Sequence, residues 1–337
     1  MIKEAINLLV QQLSLSEDEM VECMTEIMEG KATDAQIAAF LTALRIKGEN
    51  VEEITASAKV MRAKSIKIKA PEGVVDTCGT GGDMAGTFNI STASAIVAAA
   101  AGIPVAKHGN RSVSSQCGSA DVLEALGVKI DLSPENVEKC LFETNFGFLF
   151  APMFHPAMKY AITARKDIAI RTIFNILGPL TNPAGAKRQI MGIFSGRLTE
   201  PLAQVLGNLG AIDAMVVHGE DGLDEITNCN GTRISRYKNG KVETFYMSPE
   251  EFGLPRADKK SILGEGKKDN ADIIVSIFNG EKGPKRDIVL MNASAAILVS
   301  GITDDIRAAL KVAKDVIDSG KALRKLEEVI KLTQSLY

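Results

Sequence analysis

Tryptophan is absent from the 337 residues, and histidine occurs only three times, at His108, His155 and His218. None of the three stands in an H-E-x-x-H or other zinc spacing, which excludes a recognisable zinc motif. The five cysteines, Cys23, Cys78, Cys117, Cys140 and Cys229, are scattered and never spaced C-x-x-C. That pattern is neither a disulfide framework nor a metal cage, and it predicts free thiols in a reducing compartment. Long apolar runs are missing too. The most apolar stretch, Ala93 to Ala106, falls short of the roughly 20 residues that a bilayer requires, and Gly102 and Pro104 interrupt it. Charge of one sign is also lacking. Lys and Arg number 39 against 42 Asp and Glu, a net charge of -3, so no whole-molecule field gathers nucleic acid or acidic lipid. No G-x-S-x-G elbow occurs. A soluble cytoplasmic protein is expected, with no nucleic-acid or membrane partner.

What is present divides in two. The first stretch, to about residue 64, reads as helices throughout. Ile6, Leu9, Val10 and Leu13 keep helical spacing, as do Met20, Cys23, Met24 and Ile27. Ser16 with Glu19 is a capping box, Thr33 can cap the run Ile37 to Leu44, and Asn50 can cap the run Ile54 to Met61. Four short helices without a sheet bury their apolar faces poorly alone, so they should pack on the rest of the chain or on a second subunit.

From Val74 strands alternate with helices, the signature of a mainly parallel sheet covered on both faces. The expected strands are 74–76, 103–106, 189–194 and 214–217, with helices over 91–101, 119–126 and 200–209. Asn239-Gly240 predicts a type I′ turn joining strands 234–237 and 242–245. The C-terminus from Ala271 is helical again. The fold class is therefore α/β, a small all-helical N-terminal domain followed by a larger domain with a mainly parallel central sheet covered by helices.

The sharpest motif runs from Asp76 through Gly79, Gly81, Gly82, Asp83, Thr87, Asn89, Ser91 and Thr92, between a strand and an alanine-rich helix. Glycines let backbone N–H groups approach an anion, and a helix opening at Ser91 or Thr92 presents a partial positive charge to it. The string is not a Walker loop, and a dinucleotide fingerprint would need glycine where Met84 stands. A serine-capped strand-to-helix turn is the plain alternative, but three glycines and three hydroxyls in one cap favour a phosphate or pyrophosphate. A second cluster, Lys107 to Ser119, follows the next strand. It carries Lys107 and Arg111 as charges and Ser112, Ser114 and Ser115 as hydroxyls, and Ser119 is placed to cap the helix that follows. Both clusters leave a parallel sheet at its carboxyl edge, where such folds bind ligands. Adjacent Asp224 and Glu225, after the strand ending at Val217, are hard carboxylates suited to Mg2+. His108 and His155 remain open as proton carriers.

These strings, GTGGD with NIST, KHGNRSVSSQCGSADVLEALG, FNILGPLTNPA and GLDE, resemble the anthranilate phosphoribosyltransferase family of tryptophan biosynthesis, and the resemblance runs end to end. It implies the nucleoside phosphorylase-like phosphoribosyltransferase fold. The helical domain would span 1–70 and be completed by about 163–180, with the α/β domain over 71–162 and 181–337. It implies a homodimer through the helical domains, and the substrates phosphoribosyl pyrophosphate and anthranilate with Mg2+. Gly79, Gly82, Asp83, Thr87, Asn89, Ser91, Thr92, Lys107 and Ser119 would hold the donor, with Ile90, His108, Gly109, Arg111, Ser112 and Ser115 lining the substrate site. Ser91, Asp224 and Glu225 would carry the metal. Asn110 and Arg165 would hold anthranilate, and Gly79, Asn110 and Arg165 would position the transition state. No side chain is assigned as acid or base. The competing expectations are a pyrimidine nucleoside phosphorylase and a non-enzymatic nucleic-acid binder on the same scaffold.

Overall fold

In a computed structural model, residues 1–83, 85–112 and 117–336 are described. The chain opens with α1 (Ile2–Val10), α2 (Glu17–Met28), α3 (Asp34–Lys47) and α4 (Val51–Lys64). The expected caps are formed: Ser16, Thr33 and Asn50 each accept a backbone N–H three residues on, and Glu19, Gln36 and Glu53 complete the boxes. The first helix is shorter than expected. It ends at Val10, Gln12 takes φ 63°, and the buried face is Ile2, Ala5 and Leu9. Val10 and Leu13, expected on that face, are instead 61% and 48% exposed: Val10 ends the helix off the Ile2-Ala5-Leu9 face, and Leu13 lies beyond the point where the chain turns away.

Then follow β1 (Val75–Gly79), α5 (Ile90–Ala100), β2 (Val105–Gly109), α6 (Ser119–Ala125), α7 (Pro134–Thr144), β3 (Phe146–Phe150) and α8 (Ala151–Phe154). The chain continues through α9 (Lys159–Ile168), α10 (Phe174–Leu177), β4 (Arg188–Gly192), α11 (Thr199–Asn208), β5 (Asp213–Gly219), β6 (Thr232–Lys238) and β7 (Lys241–Met247). Four helices close it: α12 (Lys267–Phe278), α13 (Pro284–Ser300), α14 (Ile306–Asp318) and α15 (Lys321–Ser335). Among the described residues no helix is long and apolar enough to cross a membrane.

The strands form one sheet in the order β3-β2-β1-β4-β5-β6-β7. From β3 to β5 all neighbours are parallel, and β5-β6-β7 are antiparallel. Asn239 and Gly240 both have positive φ, as the I′ turn between β6 and β7 requires. The strands differ from expectation in a way that matters for the site. β1 and β2 run on through Gly79 and Gly109, so Asp76, Lys107 and His108 lie inside the sheet and are buried. Strand β3 was not expected.

Alanine-rich α5 and the buried helix α13 cover one face, packing with β1, β4 and β5 in one continuous apolar cluster. On the other face, Met191, Ile193, Ala214 and Val216 join α11 and the N-terminal helices in a second cluster. Ala161 and Ala164 of α9 belong to it, and α9 packs against α2 and α3. Arg62 of α4 fastens the two halves: its guanidinium donates to the carbonyls of Leu180 at 2.7 Å and Leu209 at 3.0 Å. Between β1 and β4 the strand order reverses, first outward to β2 and β3, then back to β4 and β5. That reversal leaves a crevice at the carboxyl ends of β1 and β4.

Candidate active site

Three loops meet at this crevice, those after β1, β2 and β5. The Asp224 segment crosses directly over β4, where a Cβ on Gly192 would lie 1.6 Å from the Asp224 carbonyl oxygen and one on Gly79 2.8 Å from its carboxylate. Glycine is required at both strand ends for this close approach. The front half of the β1 loop is stitched down by Thr80 N–H to the Gly192 carbonyl at 3.0 Å and Gly81 N–H to Asp224 Oδ2 at 2.9 Å. The back half is braced from the other side. Gly264 N–H donates to the Gly86 carbonyl, and buried Asn270 accepts from Asn89 N–H at 2.7 Å.

The helix after the loop begins one residue earlier than expected. Asn89, not Ser91 or Thr92, is its cap and accepts from Thr92 N–H, so Ile90 is buried in the first turn and Ser91 is left for other contacts. Ser91 Oγ accepts from Lys107 Nζ at 3.0 Å, and Lys107 also donates to the Thr77 carbonyl at 2.5 Å. Lys107 is 1% exposed. It is thus a charge held beneath the loop. Burial pulls its ammonium down while Asp76, Glu225 and Asp224 push it up, with a net lowering.

Asp83, Asp224 and Glu225 are crowded together. Burial and the nearby Asp83 push the Asp224 carboxyl up to about 7. Burial, then Asp224, drive Glu225 well above the ordinary carboxylate range. Among the described residues no three acids, histidines or cysteines are gathered as a ready metal cage, but neighbouring carboxylates that repel one another suit Mg2+, which takes one or two of them and completes its shell with water and phosphate. Asp76, not anticipated as part of the site, is fully buried below. It accepts from His108 N–H at 3.1 Å, its Oδ2 has no partner, and burial raises it to about 6.

The second cluster is only partly turned to the crevice. Arg111 pairs with Asp121 at 3.1 Å and Glu124 at 3.0 Å on α6, so among the described residues its charge is spent locally. Ser119, expected as the cap of α6, is the helix's first residue. Gly118 is the cap, and Asp121 accepts the backbone N–H groups of Gly118 and Ser112. Ser119 Oγ instead donates to the Asn110 carbonyl, with Gly109 packed so tightly that a Cβ there would strike Ser119. Ser115 lies outside the described residues.

His108 and His155 form a buried pair, ring centroids 5.0 Å apart. His108 Nδ1 meets the Gly178 carbonyl at 3.1 Å, which makes Nδ1 the protonated nitrogen, and both Nε2 atoms lack partners. Burial pushes the two rings down to about 3 and about 4, so both are neutral near pH 7. Arg165 of α9 is half-buried over the Phe174 ring at 5.2 Å, and desolvation lowers its pKa. Among the described residues no carboxylate pairs with it.

A glycine-rich loop and an acidic pair meet where the strand order reverses, the arrangement that a glycosyl transferase working on a phosphorylated sugar would need. The family models agree: residues 71–323 match the glycosyl transferase family α/β domain, and residues 3–65 its helical bundle domain. The anthranilate phosphoribosyltransferase of Alkaliphilus metalliredigens is 56% identical over 338 residues, covering 100% of this chain and 99% of that one. That of Acetivibrio thermocellus is likewise 56% identical, with 99% and 97% covered. The solved Thermus thermophilus anthranilate phosphoribosyltransferase is 40% identical with a TM-score of 0.93 over 98% of this chain and 99% of that one. The Saccharomyces cerevisiae enzyme, solved in complex with PRPP and Mg, is 28% identical with a TM-score of 0.91, over 99% and 98%. The chain belongs to the anthranilate phosphoribosyltransferases.

Proposed function

We propose that the crevice between β1 and β4 is where this enzyme moves the 5-phosphoribosyl group of phosphoribosyl pyrophosphate onto the amine of anthranilate. The observation that carries this assignment is the meeting of the Gly79–Asp83 loop, the Lys107–Ser91 contact and the Asp224–Glu225 pair at one strand reversal. Backbone N–H groups of the loop and the N-terminus of α5 face the donor's anionic groups, and Thr87, Ser91 and Thr92 add hydroxyls. Asp224, Glu225 and Ser91 would hold Mg2+, which would supply charge neutralisation for the departing pyrophosphate. Lys107, fixed from below, keeps the loop's positive potential in place.

As the C1–oxygen bond breaks, pyrophosphate takes the electron pair, the ribose carbon becomes cation-like, and the amine nitrogen forms the new bond and then releases one of its protons to water or to the departing pyrophosphate. Anthranilate's amine is neutral near pH 7 and needs no base to become a nucleophile. What the protein supplies is alignment and exclusion of water. Arg165, desolvated and without an acid, is suited to the acceptor's carboxylate, and Asn110 completes that side. The helical domain, 1–70 with about 163–180, is assigned to close on the α/β domain over 71–162 and 181–337. Exposed Val10, Leu13 and Ile46 on the helical side support a homodimer through that domain, and a cytoplasmic location is consistent with the free cysteines.

Purified protein mixed with anthranilate, phosphoribosyl pyrophosphate and Mg2+ should consume anthranilate fluorescence only when all three are present. Unchanged fluorescence, with phosphorolysis of thymidine instead, would transfer the site to a nucleoside phosphorylase.

A further inference from the structure

Between α9 and α10 the chain leaves the helical side and passes over the crevice. Arg171 lies on this passage, 89 residues from its partner: its guanidinium donates to the Gly82 carbonyl of the donor loop. The same guanidinium lies over the Phe194 ring, 4.4 Å from the centroid. Phe194 is itself tied to the loop, because its N–H donates to Thr80 Oγ1 at 3.3 Å. Arg171, Phe194, Thr80 and Gly82 therefore close a ring of contacts around the front half of the loop. Among the described residues no carboxylate pairs with Arg171, so its charge is directed at a carbonyl and an aromatic face. A planar guanidinium can stack and donate at once, which a lysine ammonium does less well. Six positions earlier, within α9 and leading into this passage, stands Arg165, the residue assigned to the acceptor.

We propose that Arg171 is a positioning residue that registers the acceptor-bearing passage against the donor loop, so that each substrate's site is set by occupation of the other. This rests on the reading above, in which Gly82 belongs to the donor site and Arg165 to the acceptor. Ordering the loop by Arg171 places Arg165 at a fixed distance from the donor carbon, and an ångström of misplacement between reacting groups costs on the order of 100-fold in rate. Coupling between two such sites typically amounts to roughly 5- to 150-fold in affinity.

The test titrates anthranilate into wild type and Arg171→Ala, with and without Mg2+ and pyrophosphate as the donor-site probe, and measures kcat alongside. The expected result is that Arg171→Ala binds each probe alone within about twofold of wild type, loses the mutual strengthening, and falls about 100-fold in kcat. Arg171→Lys should recover part of both, and it keeps the measurement possible if the alanine variant does not fold. Equal coupling in wild type and Arg171→Ala, including none in either, overturns the proposal. So does a loss of pyrophosphate binding by itself, which would make Arg171 a direct donor ligand. Absence of turnover in wild type would instead strike the assigned reaction, a separate outcome.

Discussion

Glu53 in the helical domain and Asp224 at the sheet edge are both carboxylates set among packed atoms, and their partners differ in kind. Glu53 accepts from Leu15 N–H at 3.0 Å, Asn50 N–H at 2.9 Å and Lys47 Nζ at 2.8 Å. Its charge is answered from within the fold by two backbone donors and one buried ammonium. Asp224 accepts from Gly81 N–H and otherwise faces Asp83 and Glu225. The first holds three segments of the helical domain together. The second is opposed by its neighbours, with buried Lys107 acting on the pair from below, and a proton or a bound cation relieves that repulsion. A carboxylate that serves the fold is satisfied by the fold, whereas one that serves a ligand is held unsatisfied at some cost in stability.

The comparison breaks if Glu53→Ala is mild. Removing one partner of a buried charged pair costs about 3–5 kcal/mol, here leaving two backbone N–H groups without an acceptor and Lys47 with Ser14 Oγ alone. Urea unfolding should show that loss, while kcat per folded molecule stays near wild type. Asp224→Asn should do the reverse. We expect kcat/KM to fall on the order of 100- to 1000-fold, as for loss of one group that stabilises transition-state charge. Its stability without Mg2+ should match or exceed that of wild type, because a repelled charge has been removed. A destabilised, active Asp224→Asn would show that the two carboxylates do not differ in kind.

That repulsion also has a pH signature. An Asp whose folded value is about 7 against an ordinary 3.8 contributes stability that is fully present below the ordinary value and is lost as pH rises through about 7. Metal binds the deprotonated form, so binding must displace any proton still held there. Mg2+ should therefore raise the melting temperature more at pH 8 than at pH 6. Its apparent affinity should grow by up to about tenfold per pH unit for each proton displaced. A shift by Mg2+ that is equal at the two pH values would mean that Asp224 and Glu225 are not the ligands.

How much of this was legible in the sequence follows from the range of each interaction. The caps at Ser16, Thr33 and Asn50 are three-residue affairs and could be read directly. So could the glycine string, the Asn239-Gly240 turn and the adjacent acids. The apolar run Phe146–Phe150 was missed as a strand because a short unbroken run does not distinguish strand from helix. β1 was ended at Asp76 and β2 before Lys107 because glycines and charged residues look like loop. Lys107 is accommodated in the sheet by the Thr77 carbonyl and Ser91, and Asp76 by the His108 backbone N–H. Arg62 and Arg171 could not be seen at all. Their partners lie 118, 147 and 89 residues away, and a lone arginine on a helix or loop carries no sign of such a partner.

Arg111 tests the reading where motif and geometry diverge, and its effect should be the smallest. The sequence places it in the donor cluster. In the structure it is exposed and fastened to Asp121 and Glu124 on α6, with Phe150 5.8 Å from its guanidinium. Exposed pairs of this kind contribute about 0–1 kcal/mol, so Arg111→Ala should lower stability by no more than that. Its effect on the donor's KM should stay below about threefold, since RT ln 3 is well under 1 kcal/mol. The measurement is a donor titration at saturating anthranilate and Mg2+, run at two ionic strengths. A tenfold rise in KM that shrinks as salt is added would mean that Arg111 leaves α6 when the donor arrives. The loop after β2 would then be, like Asp224, a charge held in reserve for the ligand rather than one satisfied within the fold.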